Sequence, residues 1–127
     1  MTNEKMIYLA SPYSHPDPMV RGLRFKEVSR IAGNLAAKGQ LLICPIAMNH
    51  PMHIYADVEM PSDWAFWKRF DTELIIRCDE VWVTMLDGWK DSVGVKAEMK
   101  LARELNIPIR YVEPETLAVL THTKKGE

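Results

Sequence analysis

EVWVTMLDGWKDSVGVKAEMKLARELNIPIRYV, residues 80–112, is the stretch whose reading decides the fold. It opens on a short apolar run, EVWVTM (residues 80–85), and turns through LDGWKD (residues 86–91). Helical periodicity follows from residue 92 to residue 105, with Ser92 or Asp91 as its N-cap. Asn106 ends that helix, and IPIRYV (residues 107–112) is apolar again. Two strands joined by a crossover helix form a βαβ unit, and such strands run parallel.

The rest of the chain repeats the unit. MIYLA (residues 6–10) reads as a buried strand, and SPYSHPDP (residues 11–18) as a stiff loop with three prolines in eight residues. Residues 20–38 have helical periodicity, with Leu23, Val28, Ile31, Leu35 and Ala36 on one side and Gly39 as the stop. LLIC (residues 41–44) reads as a second buried strand ended by Pro45. Residues 45–60 read as a long irregular connection holding Asn49, His50, His53, Tyr55 and Asp57. Ser62 can cap the next helix, which runs to about Arg77. A short helix is expected after Pro114, and residues 121–127 as a frayed tail to a domain spanning residues 1–120.

The order βαβαβαβ, with apolar runs in place of strict alternation, fits a sheet covered on both faces. The expected fold is α/β: a single-domain, doubly wound, flavodoxin-like sandwich with a mainly parallel sheet of four or five strands. In such folds ligands bind at the carboxyl ends of the strands.

Composition narrows the function. The chain has 127 residues, 47% hydrophobic and 26% charged, which suits one soluble domain. A net charge of −1 provides no field for a nucleic-acid polymer. Without a signal-peptide core or a membrane-length apolar run, a cytoplasmic location is expected, and no membrane partner. Cys44 and Cys78 lie beside apolar runs with no CxxC spacing and read as buried thiols. His50 and His53 have no evident third or fourth ligand, so neither a metal nor a cofactor is expected.

Two carboxylates stand in apolar phase. Trp64, Trp67, Leu74, Ile75 and Cys78 mark one helical face, and Asp71 lies among them. Val95, Leu101, Ala102 and Leu105 mark another, and Glu98 lies in it. Burying an unpaired carboxylate is costly, so two of them beside one strand point to a pocket that uses them. Glu98, within reach of a helix N-terminus, would be held ionised as a nucleophile, and Asp71 would face it as general acid. Tyr8 could orient a carboxylate through its hydroxyl. Ser11, Ser14 and Arg21 could receive a phosphate or a sugar, Gly94 could admit a ligand to the backbone, and Trp64, Trp67 or Trp89 could stack a base, with Trp89 favoured. Plainer uses stand beside these: an N-cap, a packing glycine, surface ion pairs and core aromatics.

The ordered set of Tyr8 in IYLASP, Asp71 in DTELIIRCD and S-x-G-x3-E from Ser92 to Glu98 resembles the nucleoside 2-deoxyribosyltransferase superfamily. The GWKDSVG turn resembles its small DUF1937 and DUF4406 members, and the superfamily also includes nucleoside 5′-monophosphate N-glycosidases. The resemblance implies attack by Glu98 on the anomeric carbon, protonation of the departing base by Asp71 and alignment of Glu98 by Tyr8. It implies a nucleoside or nucleotide as small-molecule partner and a homodimer or higher homo-oligomer. Hydrolysis of a monophosphate is favoured over base exchange, and whether Ser92 or Asp91 faces the sugar decides between them. A non-catalytic nucleotide-binding module on the same fold is the alternative.

Overall fold

The computed structural model describes residues 4–61 and 63–123. Its elements run β1 (Met6–Ala10), α1 (Pro18–Ala37), β2 (Leu41–Ile43), α2 (Pro45–Tyr55), α3 (Trp64–Ile76), β3 (Glu80–Thr84), α4 (Val93–Glu104), β4 (Ile109–Val112) and β5 (Val119–Leu120). They form one five-stranded sheet of order β2-β1-β3-β4-β5. The first four strands are parallel, and β5 returns antiparallel to β4. This is the flavodoxin-like order, whose connections reverse direction between β1 and β3.

Period-two side-chain alternation in the central strands feeds two cores. Ile7 and Leu9 of β1 and Trp82 of β3 pack on one face with Val28, Ile31 and Leu35 of α1. Tyr8, Ala10, Val81 and Val83 pack on the other with Ile75 of α3 and Val95, Met99 and Ala102 of α4. Both faces of β1 and β3 are therefore dry, and this is why their sequences run continuously apolar. Asp79 fixes the entry to the pair: its backbone N–H donates to Met6 O and its carboxylate accepts from Met6 N–H, both at 2.8 Å. Cys44 and Cys78 are free and buried. Burial pushes both thiols up, Cys78 to about 11 with help from the Asp79 charge.

Several local expectations are corrected. Residues 45–55 are a helix, with Pro45 in its first turn, where a missing N–H costs nothing. Pro51 lies inside this helix and is what made the stretch read as irregular. β2 is an edge strand, with Leu41 exposed and Leu42 and Ile43 only partly covered. Leu23 and Ala36 of α1 face solvent, because the buried stripe follows Val28, Ile31, Ala32 and Leu35. Leu105 is exposed, and Met99 takes its place in the α4 core face. Cys78 lies beyond the end of α3. After Pro114 the chain makes a turn rather than a helix, with Leu117 at φ 63, and enters β5. The cap assigned to Ser62 and the tail residues 124–127 lie outside the described residues. Among the described residues, no helix is long and apolar enough to cross a membrane.

Candidate active site

A cleft opens at the carboxyl ends of β1 and β3. Ser11 Oγ and Thr84 Oγ1, 2.6 Å apart and buried, tie the two strand ends together. Below the cleft floor, Tyr8 is fully buried and its hydroxyl donates to Glu98 Oε2. Glu98 projects from the second turn of α4 and Asp71 from the middle of α3, and both side chains line the cleft. The two residues are 6% and 7% exposed, so each carboxylate has lost nearly all its water. Asp71 Oδ1 has no hydrogen-bond partner among the described residues. Leaving a buried acceptor open is costly unless a ligand completes it.

The α4 N-terminus is set by Ser92, whose Oγ accepts from Val95 N–H at 3.2 Å. Ser92 and Gly94 line the cleft, and a Cβ at Gly94 would sit 3.7 Å from the Trp64 ring. α3 adds Trp64 and Trp67, the latter anchored by its indole N–H donating to Pro61 O at 2.8 Å. α2 adds Pro45, Asn49 and His53 at four-residue spacing, which places them on one helix face. The loop after β1 adds Ser11, Tyr13 and Ser14. Tyr13 Oη lies 2.7 Å from His50 Nδ1, and His50 stacks on Phe25.

Three expected site residues lie elsewhere. Trp89, half-buried, packs against Tyr111 at the edge of the core, with ring centroids 5.7 Å apart. Asp91 is exposed and borders a separate depression together with Trp89. The α4 turn therefore directs Ser92, not Asp91, to the cleft. Arg21 borders a shallow depression beside the cleft, formed with Ser14, His15, Pro16 and Asp63. Its guanidinium donates to His15 O and, at 3.2 Å, to Pro16 O, so it holds the loop closed. The cleft residues that sequence reasoning did not assign to the site are Tyr13, Asn49, His53 and Asp63, and Trp64 and Trp67, read there as core or base-stacking residues, line the cleft as well. For Asn49 and His53 the missed signal was the spacing Pro45, Asn49, His53.

Electrostatics also correct an expectation. Glu98 lies in the second turn of α4, where a helix terminus has lost most of its influence. Burial, reinforced by the Asp71 charge, raises its carboxyl well above the usual range. Burial raises Asp71 to about 7, against a pull downward from the Tyr8 hydroxyl. Tyr8 itself is raised by burial and by the charges of Glu98 and Asp71. Both carboxyls are therefore held toward their protonated forms. The Tyr8 hydroxyl opposes both shifts, favouring the charged form of each carboxyl.

This burial has a linked cost. The Asp71 carboxyl binds its proton more tightly when folded, at about 7, than at its ordinary value of 3.8. Its contribution to stability is fully present below about pH 4 and is lost as pH rises through about 7. Asparagine cannot ionise. Thermal melts of Asp71→Asn should match the parent near pH 4 and show about 2–4 kcal/mol more stability near pH 8. Equal stability near pH 8 would show that Asp71 does not carry a buried charge there.

Comparison with known proteins agrees with this architecture. Residues 5–113 match the family described as Domain of unknown function (DUF1937). Among solved structures, the fold is similar to a 2-deoxyribosyltransferase from the psychrotolerant bacterium Bacillus psychrosaccharolyticus. That match has a TM-score of 0.61 at 24% identity, over 87% of this chain and 74% of that one. A comparison with curated protein sequences found no match. The chain thus belongs to the DUF1937 family and has the fold of the nucleoside 2-deoxyribosyltransferases.

Proposed function

We propose that the protein cleaves the N-glycosidic bond of a nucleoside or nucleoside 5′-monophosphate through a glycosyl intermediate on Glu98. The observation that carries this reading is the buried pair Asp71 and Glu98 in one cleft, with Tyr8 bonded to Glu98. A Glu98 oxygen attacks C1′ as the C1′–N bond breaks, and the bond pair leaves with the base. Asp71 gives its proton to the base nitrogen. Water, or a second base, then attacks C1′ and releases Glu98 while Asp71 takes up the proton. Hydrolysis and base exchange share every step up to that last attack, and hydrolysis is the reaction expected without added base.

The cleft dimensions support a sugar within reach of its lining acids. Its volume of about 70 Å³ holds roughly five to seven water-sized groups, the bulk of one furanose ring. Trp64, Trp67 and Asn49 offer a flat apolar wall and an amide to the base.

Incubation with a panel of nucleosides and monophosphates, with and without acceptor bases, should release free base. Glu98→Ala should lower the rate by about 10³-fold or more, and Asp71→Asn by about 10²–10⁴-fold. The parent rate should fall as pH rises through about 7, where Asp71 loses its proton. Binding without base release, unchanged in Glu98→Ala, would replace this reading with a nucleotide-binding module.

The reading includes self-association. Met48, Met52 and Tyr55 form an exposed stripe on α2, and Phe66 and Phe70 are exposed on α3, the two helices that wall the cleft. Exposed apolar side chains of this kind favour a protein partner. Sedimentation should give a dimer or larger assembly, and Met52→Glu with Phe70→Glu should return a monomer. A parent that is monomeric at assay concentration and still active would remove this part of the proposal.

A further inference from the structure

The wall that α2 contributes to the cleft is weakly tied to the core. Among the described residues of α2, Pro45 alone is buried, and Met48, Met52, Ile54 and Tyr55 are exposed. Pro51 has no N–H, so the Ala47 carbonyl receives no intrahelical bond from it. Asn49 and His53 nevertheless face the cleft from this helix. Their placement depends on the few side chains that fasten α2 to its neighbours.

His50, between them in sequence, supplies such a fastening. Its ring stacks on Phe25 of α1, with centroids 4.2 Å apart and planes 19° from parallel. Its Nδ1 lies 2.7 Å from the hydroxyl of Tyr13, in the loop after β1. Tyr13 in turn takes a hydrogen bond from Arg21 of α1 and lies in the field of its charge. Arg21 also holds the same loop through His15 O and Pro16 O. A guanidinium only donates, so the Tyr13 oxygen accepts from Arg21 and turns its own proton to His50. Nδ1 of His50 is then the acceptor, which assigns a neutral ring with its proton on Nε2. The charged and titratable groups acting on this ring are Tyr13 from the loop, Arg21 from α1 and His53 from its own helix. Burial, then the charges of His53 and Arg21, lower His50 from its ordinary 6.5. A proton on Nδ1 would set two cations against one phenol oxygen.

We infer that His50 is a positioning residue for the cleft: bonded to Tyr13 and stacked on Phe25, it latches α2 so that Asn49 and His53 face the substrate. The substrate in this inference is the one given by the glycosidic reading, whereas the latch rests on the bonds alone. The latch is complete above about pH 6.5, where His50 is neutral, and loosens as pH falls through the lowered folded value. It places substrate and leaves the acids in position, so its loss raises KM more than it lowers kcat.

Nitrogen NMR of histidine-labelled full-length protein reads the latch directly. At alkaline pH the His50 ring should carry a proton on Nε2 and none on Nδ1, and Tyr13→Phe should move the Nδ1 signal. A proton on Nδ1 under those conditions would overturn the latch. Base release from 2′-deoxyadenosine, 2′-deoxycytidine and their 5′-monophosphates reads its effect. With the fastest of these, His50→Leu and Tyr13→Phe should each raise KM by about tenfold and change kcat by less than about threefold. The double variant should be no worse than either single one, because the two residues form one contact. His50→Asn, whose amide oxygen can stand where Nδ1 stood and cannot be protonated, should keep KM within about threefold of the parent. On acidification through about pH 6.5 the parent's KM should rise at least about threefold more than that of His50→Asn. An unmoved KM in His50→Leu, effects that multiply in the double variant, or no rescue by His50→Asn would overturn the positioning role and leave the glycosidic reading standing. No base release by the parent from any nucleoside or monophosphate would overturn both, whatever the ring spectrum shows.

Discussion

The hydrogen bond from the Tyr8 hydroxyl to Glu98 joins β1, a strand paired along both edges, to the second turn of α4. It lies beneath the point where the strand connections reverse, with β1 and β3 laced in register on either side. Everything around it is arranged to keep water away. Val81, Val83, Val95 and Met99 close one side, and Trp67 and Ile75 of α3 help cover Asp71. The contact could not survive on a surface, where water would compete for both groups. Here the strands, the α4 cap and the α3 face all have to be in place before the phenol and the carboxylate can meet.

That dryness explains why the acids behave unlike ordinary surface carboxylates. Burial alone raises both, and each raises the other's cost of ionising, so the pair carries a proton at a pH where isolated acids carry none. The proposed nucleophile and the proposed acid thus share one dry site. The arrangement destabilises the folded chain, and a site whose groups are kept short of partners commonly does so. The open Asp71 oxygen is the clearest sign of such a trade.

Much of this was legible in the sequence because it rests on local periodicity. The strand-turn-helix-strand run of residues 80–112 specifies a parallel unit, and Asp71 and Glu98 were visible as polar residues in apolar phase. Tyr8 was visible as a polar tip on a strand buried on both faces. What failed was nonlocal or masked by a breaker. Pro51 hid α2 and, with it, the face that brings Asn49 and His53 to the cleft. Which tryptophan enters the site depends on how the α4 turn packs: Trp89 folds back onto Tyr111 and leaves the cleft to Trp64 and Trp67. Asp63 has no sequence mark of its own, because a carboxylate at an N-cap position normally reads as helix capping.

The account turns on one bond, between a Glu98 oxygen and the anomeric carbon of a sugar. A nucleoside bearing fluorine on C2′ slows release of such an intermediate by destabilising positive charge at C1′. After incubation with it, peptide mass spectrometry should find the fluorosugar mass added to the segment holding Glu98, with loss of the adduct in Glu98→Ala. Release of base with no adduct, or an adduct on any other residue, would contradict the account.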